Sequence, residues 1–156
     1  MNWAFAVTRR AALAGIAAIM MLSVPASAAE PEIYTGIIKK TALGGYDAVA
    51  YFEEGKAVPG KKEITTTWKD ATWRFASEKN RDTFAADPEK YAPQYGGYCA
   101  YAVSQGATAH GDPKQWTIVD GKLYLNFDAG VKKRWEKGAA GYIAKANGNW
   151  PKVLQQ

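Results

Sequence analysis

Cys99 is the one cysteine and His110 the one histidine among the 156 residues of the chain. A short helix and a loop are expected between them, so sulfur and imidazole could meet in space. Such a thiolate–imidazole pair suits copper or zinc. Two protein ligands leave a site open, and Asp47, Asp112 or a tyrosine would have to complete it. The spacing matches no standard metal motif. Each residue also has a plainer role: Cys99 as a small buried hydrophobe among Tyr95, Tyr98 and Tyr101, His110 as an exposed loop side chain, Asp47 as a structural acid held by donors. The same pair could serve as a thiol-dependent redox or nucleophilic centre. No third orienting residue or oxyanion feature accompanies it, so an enzyme is the lesser expectation. Gly44-Gly45 and Gly96-Gly97 are read as backbone bends, because no lysine follows at a spacing that would meet a phosphate. Tyr91, Tyr95, Tyr98, Tyr101, Tyr124, Trp116 and Trp135 could line a ligand pocket or fill a core.

The elements that would position these residues follow from local pattern. Ala29–Glu32 is a tether, and Ile33–Lys39 has β-type residues. Tyr46–Phe52 reads as a buried strand or tight extended segment. Glu63–Trp68 and Ala71–Ala76 form a hairpin across Lys69-Asp70. Ser77 caps a helix through Arg81, Phe84 and Ala85, which Asp87-Pro88 stops. After an irregular aromatic passage, Tyr98–Ser104 is a short helix closed by Gly106. Trp116–Val119 and Lys122–Phe127 flank Asp120-Gly121, a second hairpin. Asp128 caps a helix to Lys137 with Val131 and Trp135 inward, Ala140–Ala146 is a last helix, and Asn147–Pro151 docks the tail. No internal repeat, low-complexity run or linker is expected. The class is α+β, with two hairpins and several short helices.

Residues 1–28 have the three zones of an export signal: a basic stretch with Arg9 and Arg10, an apolar run from Ala11 to Val24, and Ala26-Ser27-Ala28 as a cleavage pattern. Thr8-Arg9-Arg10 fits a twin-arginine signal as well as an ordinary one. Cleavage near Ala28 is expected to deliver one domain, 29–156, to the periplasm with no membrane span. The net charge of +5 falls to +3 once Arg9 and Arg10 leave, and no basic stripe argues for nucleic acid. Lys132-Lys133-Arg134 reads as a solvated face. All three methionines lie in the signal, which excludes a methionine-rich soft-metal site.

Trp73-Arg74-Phe75-Ala76 followed by Ser77–Tyr91 (SEKNRDTFAADPEKY) resembles the YHS domain, and Tyr46-Asp47-Ala48-Val49 resembles its opening D-P-V segment. Tyr95–Tyr101, Gly111-Asp112-Pro113 and Asp120–Asn126 look like the C-terminal extension of an exported bacterial subgroup. The resemblance, shared with the TRASH modules, implies metal handling, copper first. Metal-binding versions place cysteines where this chain has Ala50, Ala76 and Asn80, so the usual thiolate centre does not carry over. The expectation is therefore a periplasmic YHS-type protein holding copper or zinc through Cys99, His110 and Asp47. The alternatives are a non-catalytic module binding a small ligand or an envelope protein on an aromatic surface, or a thiol-dependent redox protein.

Overall fold

The computed structural model describes residues 28–36 and 40–156. The expected export signal, apart from Ala28, and the expected β-type residues 37–39 lie outside them. No helix among the described residues is long and apolar enough to cross a membrane.

The chain runs α1 (Ala50–Glu53), β1 (Lys61–Trp68), β2 (Ala71–Phe75), α2 (Glu78–Ala86), α3 (Pro88–Tyr91), α4 (Ala100–Ser104), β3 (Asp112–Val119), β4 (Lys122–Asn126), α5 (Ala129–Glu136) and α6 (Ala139–Asn149). Single 3-10 turns lie at Ala42–Gly45, Gln94–Gly97 and Lys152–Gln155. The architecture is α+β, with two antiparallel two-stranded sheets. Both hairpins turn through residues with positive φ, Lys69-Asp70 at 48° and 58° and Asp120-Gly121 at 51° and 71°. That twist matches the flanking strands. Ser77 and Asp128 accept the N–H groups of Asn80 and Val131, capping α2 and α5 as their types predict.

Three expectations are corrected. Tyr46–Phe52 is not a strand: Asp47 Oδ1 accepts the N–H groups of Val49 at 2.9 Å and Ala50 at 3.3 Å, turning the chain into α1 against the β preference of its neighbours. Asp87-Pro88 ends α2 but starts α3, because the Asp87 side chain accepts from Lys90 N and proline suits a first helical turn.

The third correction is that the fold repeats. In the first hairpin Lys61 pairs with Phe75, then after a bulge Thr65 with Arg74 and Trp68 with Ala71; in the second Asp112 pairs with Asn126, then after a bulge Trp116 with Leu125 and Val119 with Lys122. The displacement along the chain is constant. Upstream, Leu43, Gly44 and Gly45 have φ of 55°, 59° and 85°, and Tyr95, Gly96 and Gly97 have 55°, 61° and 88°. Each bend leads into an isolated bridge, Tyr46 with Pro59 and Tyr98 with His110. Asp47 N donates to Val58 O at 2.8 Å, and Cys99 N to Ala109 O at 2.9 Å. Residues 41–91 and 93–137 are thus two copies of one bend–helix–hairpin–helix motif.

β4 is the wall between two cores. Leu123 and Leu125 face a cluster built on Trp73, Phe75 and Phe84, while Tyr124 belongs to a second with Tyr98, Val103 and Trp135. Alternation along a strand produces this division, and burial on both faces explains why four of its five residues are buried. The segment before the first copy crosses the second: Tyr34 N donates to Gly96 O at 2.9 Å and Tyr98 Oη to Pro31 O at 2.8 Å.

Candidate functional site

Duplication gives each candidate residue a counterpart. Asp47 in the first copy occupies the place of Cys99 in the second. Asp47 is fully buried, and its carboxylate accepts four hydrogen bonds. Oδ1 takes the N–H groups of Val49 and Ala50; Oδ2 takes Ala76 N and Asn80 Nδ2, both at 2.8 Å. This acid ties α1, the end of β2 and α2 together, and its lone pairs are directed at donors. Ala50, Ala76 and Asn80, the positions that the family resemblance gives to cysteine in metal-binding versions, supply three of those four donors.

Cys99 is 1% exposed. Its thiol donates to Asn126 Oδ1 at 3.8 Å, and the same oxygen accepts Tyr101 N at 3.3 Å. Asn126 stands where the first copy has Phe75, so a strand amide in the second copy does part of the work of Asp47. Asn126 Nδ2 and Trp135 Nε1 are buried without a hydrogen-bond partner. Both are donors, and a cation needs lone pairs, so the orphaned Asn126 amide beside the sulfur does not fit a metal ion there.

His110 lies close to Cys99 along the backbone but on the other side. It is bridged to Tyr98, and residues opposite one another share a face, whereas Cys99 follows Tyr98 onto the opposite one. The exposed imidazole sits 4.3 Å from the Phe127 ring and 6.4 Å from that of Tyr34, centroid to centroid. It borders a hollow of about 420 Å³ with Gly44, Asp112 and Pro113. Cys99, His110 and Asp47 are not brought into one ligand set, and no group of three or more His, Cys, Asp or Glu among the described residues could hold a metal ion. Of the expected aromatic lining, Tyr91, Tyr95, Tyr98, Tyr124 and Trp135 are buried and form core.

A cleft of about 430 Å³ opens instead where the two copies, the N-terminal segment and α6 meet. Trp68 and Lys69 come from the first hairpin, Tyr95 from the second bend, Lys122 from the start of β4, and Asn147 and Trp150 from the end of α6. Lys69 Nζ is 2.7 Å from Glu32 Oε1, 3.3 Å from Glu89 Oε1 and 4.6 Å above the Trp68 ring. Its hydrogen bond to Glu32 raises its pKa above the usual lysine value, with Glu89 adding to the effect. Tyr95 Oη donates to Asn147 Oδ1 at 2.8 Å, and burial, then Tyr124, raises the phenol's pKa. Lys122 makes no ion pair among the described residues. Of these residues sequence reasoning named only Tyr95 as a possible pocket wall, because the others are distant along the chain and ordinary in type. The shared Gly-Gly-Tyr of Gly44–Tyr46 and Gly96–Tyr98 was the one signal of the repeat that builds it.

No curated protein and no solved structure matches the chain. A family model does: that of the YHS domain, over residues 49–95. The matched segment holds α1, the first hairpin, α2 and α3, which is the first copy without its opening bend. Residues 49–95 thus match the YHS domain, and the match lies on the first of two copies of the motif.

Proposed function

We propose that the protein is a non-catalytic binding module, exported to the periplasm, whose cleft between the copies takes a small planar anion such as an aromatic carboxylate. One observation carries the reading. Lys122 is a cation without an ionic partner among the described residues, set in a concave space that also presents Trp68, Tyr95 and Trp150. Lys69, by contrast, is already held between two glutamates. Glu32 and Glu89 also line the cleft and share Lys69, so Lys122 is the lining cation not already engaged; the size suits a small ligand, with aromatic walls for a ring. The YHS family is associated with metal handling, copper in particular. The spent lone pairs of Asp47 and the orphaned Asn126 donor beside Cys99 weigh against a copper or zinc centre on those residues.

The test is titration of purified protein with benzoate and with indole-3-acetate, followed by tryptophan emission. Saturable binding by either, weakened at least tenfold in Lys122→Ala and recovered in Lys122→Arg, is the expected result. Lys122 is exposed, so neither substitution threatens folding. Absence of saturation with both probes, or equal binding by Lys122→Ala, would remove the cleft from the account. Cell fractionation tests the location: the processed chain belongs in the periplasmic fraction, and an unprocessed chain in the cytoplasm contradicts it.

A further inference from the structure

The two copies differ in charge as well as in their cores. Residues 41–91 carry 8 basic and 9 acidic side chains, whereas residues 93–137 carry 6 basic and 4 acidic ones. The excess gathers at the elbow between α5 and α6. There Arg134, Lys137 and Lys145 line a hollow of about 370 Å³ with Gly138, Gly141 and Tyr142, and no carboxylate joins the lining. None of the three cations forms an ion pair among the described residues; the neighbouring Lys132 lies 3.8 Å from Glu136.

The first copy acts as an internal control for this corner. By the register of the hairpins and the helix caps, Lys132 and Lys133 stand where α2 has Arg81 and Asp82, and Gly138 where the first copy has Asp87. Arg81 is matched by Asp82 at 2.9 Å, so that corner is neutralised within the protein. The second copy keeps the helix but has Lys133 and Gly138 in place of Asp82 and Asp87, gains Glu136 where the first has Ala85, and sets Arg134 and Lys137 where the first has Thr83 and Ala86.

One of the three cations, Arg134, is braced by aromatic packing. The Arg134 guanidinium lies 5.6 Å from the centroid of the Tyr101 ring, and Tyr101 meets Tyr142 edge to face at 5.2 Å. Tyr142 in turn lines the hollow. Gly141 has open space where a Cβ would stand, so the wall leaves room for a ligand. Arginine matches an oxyanion's geometry through two parallel N–H groups, and lysines add point charges.

We infer that the α5–α6 elbow is a binding site for a phosphate-type oxyanion, with Arg134 as the oriented donor and Lys137 and Lys145 as flanking charges. This site is separate from the cleft and stands without it. A free phosphate compound and a lipid headgroup present the same chemistry, and the experiment distinguishes them.

Purified protein is titrated with inorganic phosphate by calorimetry, and amide spectra locate the change. In parallel it is sedimented with vesicles of phosphatidylcholine alone and of phosphatidylcholine containing phosphatidylglycerol. Saturable phosphate binding that moves the Gly138–Tyr142 amides, falls at least tenfold in the double variant Arg134→Ala with Lys145→Ala, and weakens with added salt is expected. Lys79→Ala, an exposed change on the first copy, should bind like the parent. Sedimentation with phosphatidylglycerol vesicles only, lost in the double variant, supports the site with a lipid source; phosphate binding without sedimentation supports it with a soluble one. No binding in either arm, or equal binding by the double variant, overturns the assignment. The substituted residues are exposed, so loss of folding does not obscure the result.

Discussion

Removing the Asp47 carboxylate should take away much of the protein's stability. In Asp47→Ala, the N–H groups of Val49 and Ala76 and the Asn80 amide lose their acceptor together, as does the longer contact from Ala50. Hydrogen bonds to a charged acceptor contribute about 1.5–3 kcal/mol each, and stranded buried donors cost a similar amount. Three strong bonds at the lower figure give a loss of about 4–5 kcal/mol, large against the roughly 5–15 kcal/mol that holds a domain together. Asp47→Asn keeps one carbonyl oxygen and should lose about half as much, around 2 kcal/mol. Urea unfolding at neutral pH, read by tryptophan emission, measures both. The two variants keep the total exposed surface, so the midpoint should move and the slope should not. If Asp47→Ala fails to fold, Asp47→Asn still gives a number. A loss below about 1 kcal/mol for Asp47→Ala would refute the view that this acid is the tie among α1, β2 and α2.

Gly44 and Gly96 have nearly equal φ but different neighbours. A Cβ at 44 would stand 3.1 Å from Pro113 Cγ, while one at 96 would run into the Glu32 carbonyl. Gly96→Ala should therefore cost at least about 1 kcal/mol more than Gly44→Ala and release the N-terminal segment to protease; equal costs would contradict the docking of that segment. Cys99 should react with a thiol reagent only after denaturation, and rapid labelling of the folded protein would contradict its burial. Trp135→Phe removes an unpartnered donor and so should cost under about 2 kcal/mol, against about 3–5 kcal/mol for Phe84→Ala at the matching place in the first copy. Burial raises the pKa values of Tyr51, Tyr95, Tyr98 and Tyr124 above the ordinary 10.0. Folding thus favours their protonated forms, so the stability they add is complete below about pH 10 and declines as pH rises beyond it. Phenolate absorbance from these four of the nine tyrosines should then appear only with loss of the folded signal; full ionisation of all nine near pH 10 in a folded chain would contradict this.

Much of the fold was legible where local chemistry decides it. Lys69-Asp70 and Asp120-Gly121 announced both hairpins, and Ser77 and Asp128 announced the caps they form. Segment 46–52 misled because Val49, Tyr51 and Phe52 look like strand residues, while a single carboxylate two positions earlier sets the backbone. The repeat was hidden because the copies conserve conformation more than residue type. Asp47 became Cys99, Phe75 became Asn126 and Phe84 became Trp135, so the features that made the second copy chemically conspicuous are also those that concealed its kinship. Cys99 and His110 are indeed neighbours along paired backbone, yet strand alternation turns their side chains apart, a fact that spacing alone does not reveal. The cleft needed tertiary structure, since Trp68, Lys122 and Trp150 share no local pattern.

An amide-resolved titration of the purified protein with Cu(I) and, separately, with benzoate bears most directly on the functional reading. The account predicts that benzoate shifts residues around Trp68, Lys122 and Trp150 while the neighbourhood of Cys99 stays unchanged by one equivalent of Cu(I). Copper binding at one equivalent that moves Cys99, Asn126 and His110 together, with the cleft silent to benzoate, would contradict it.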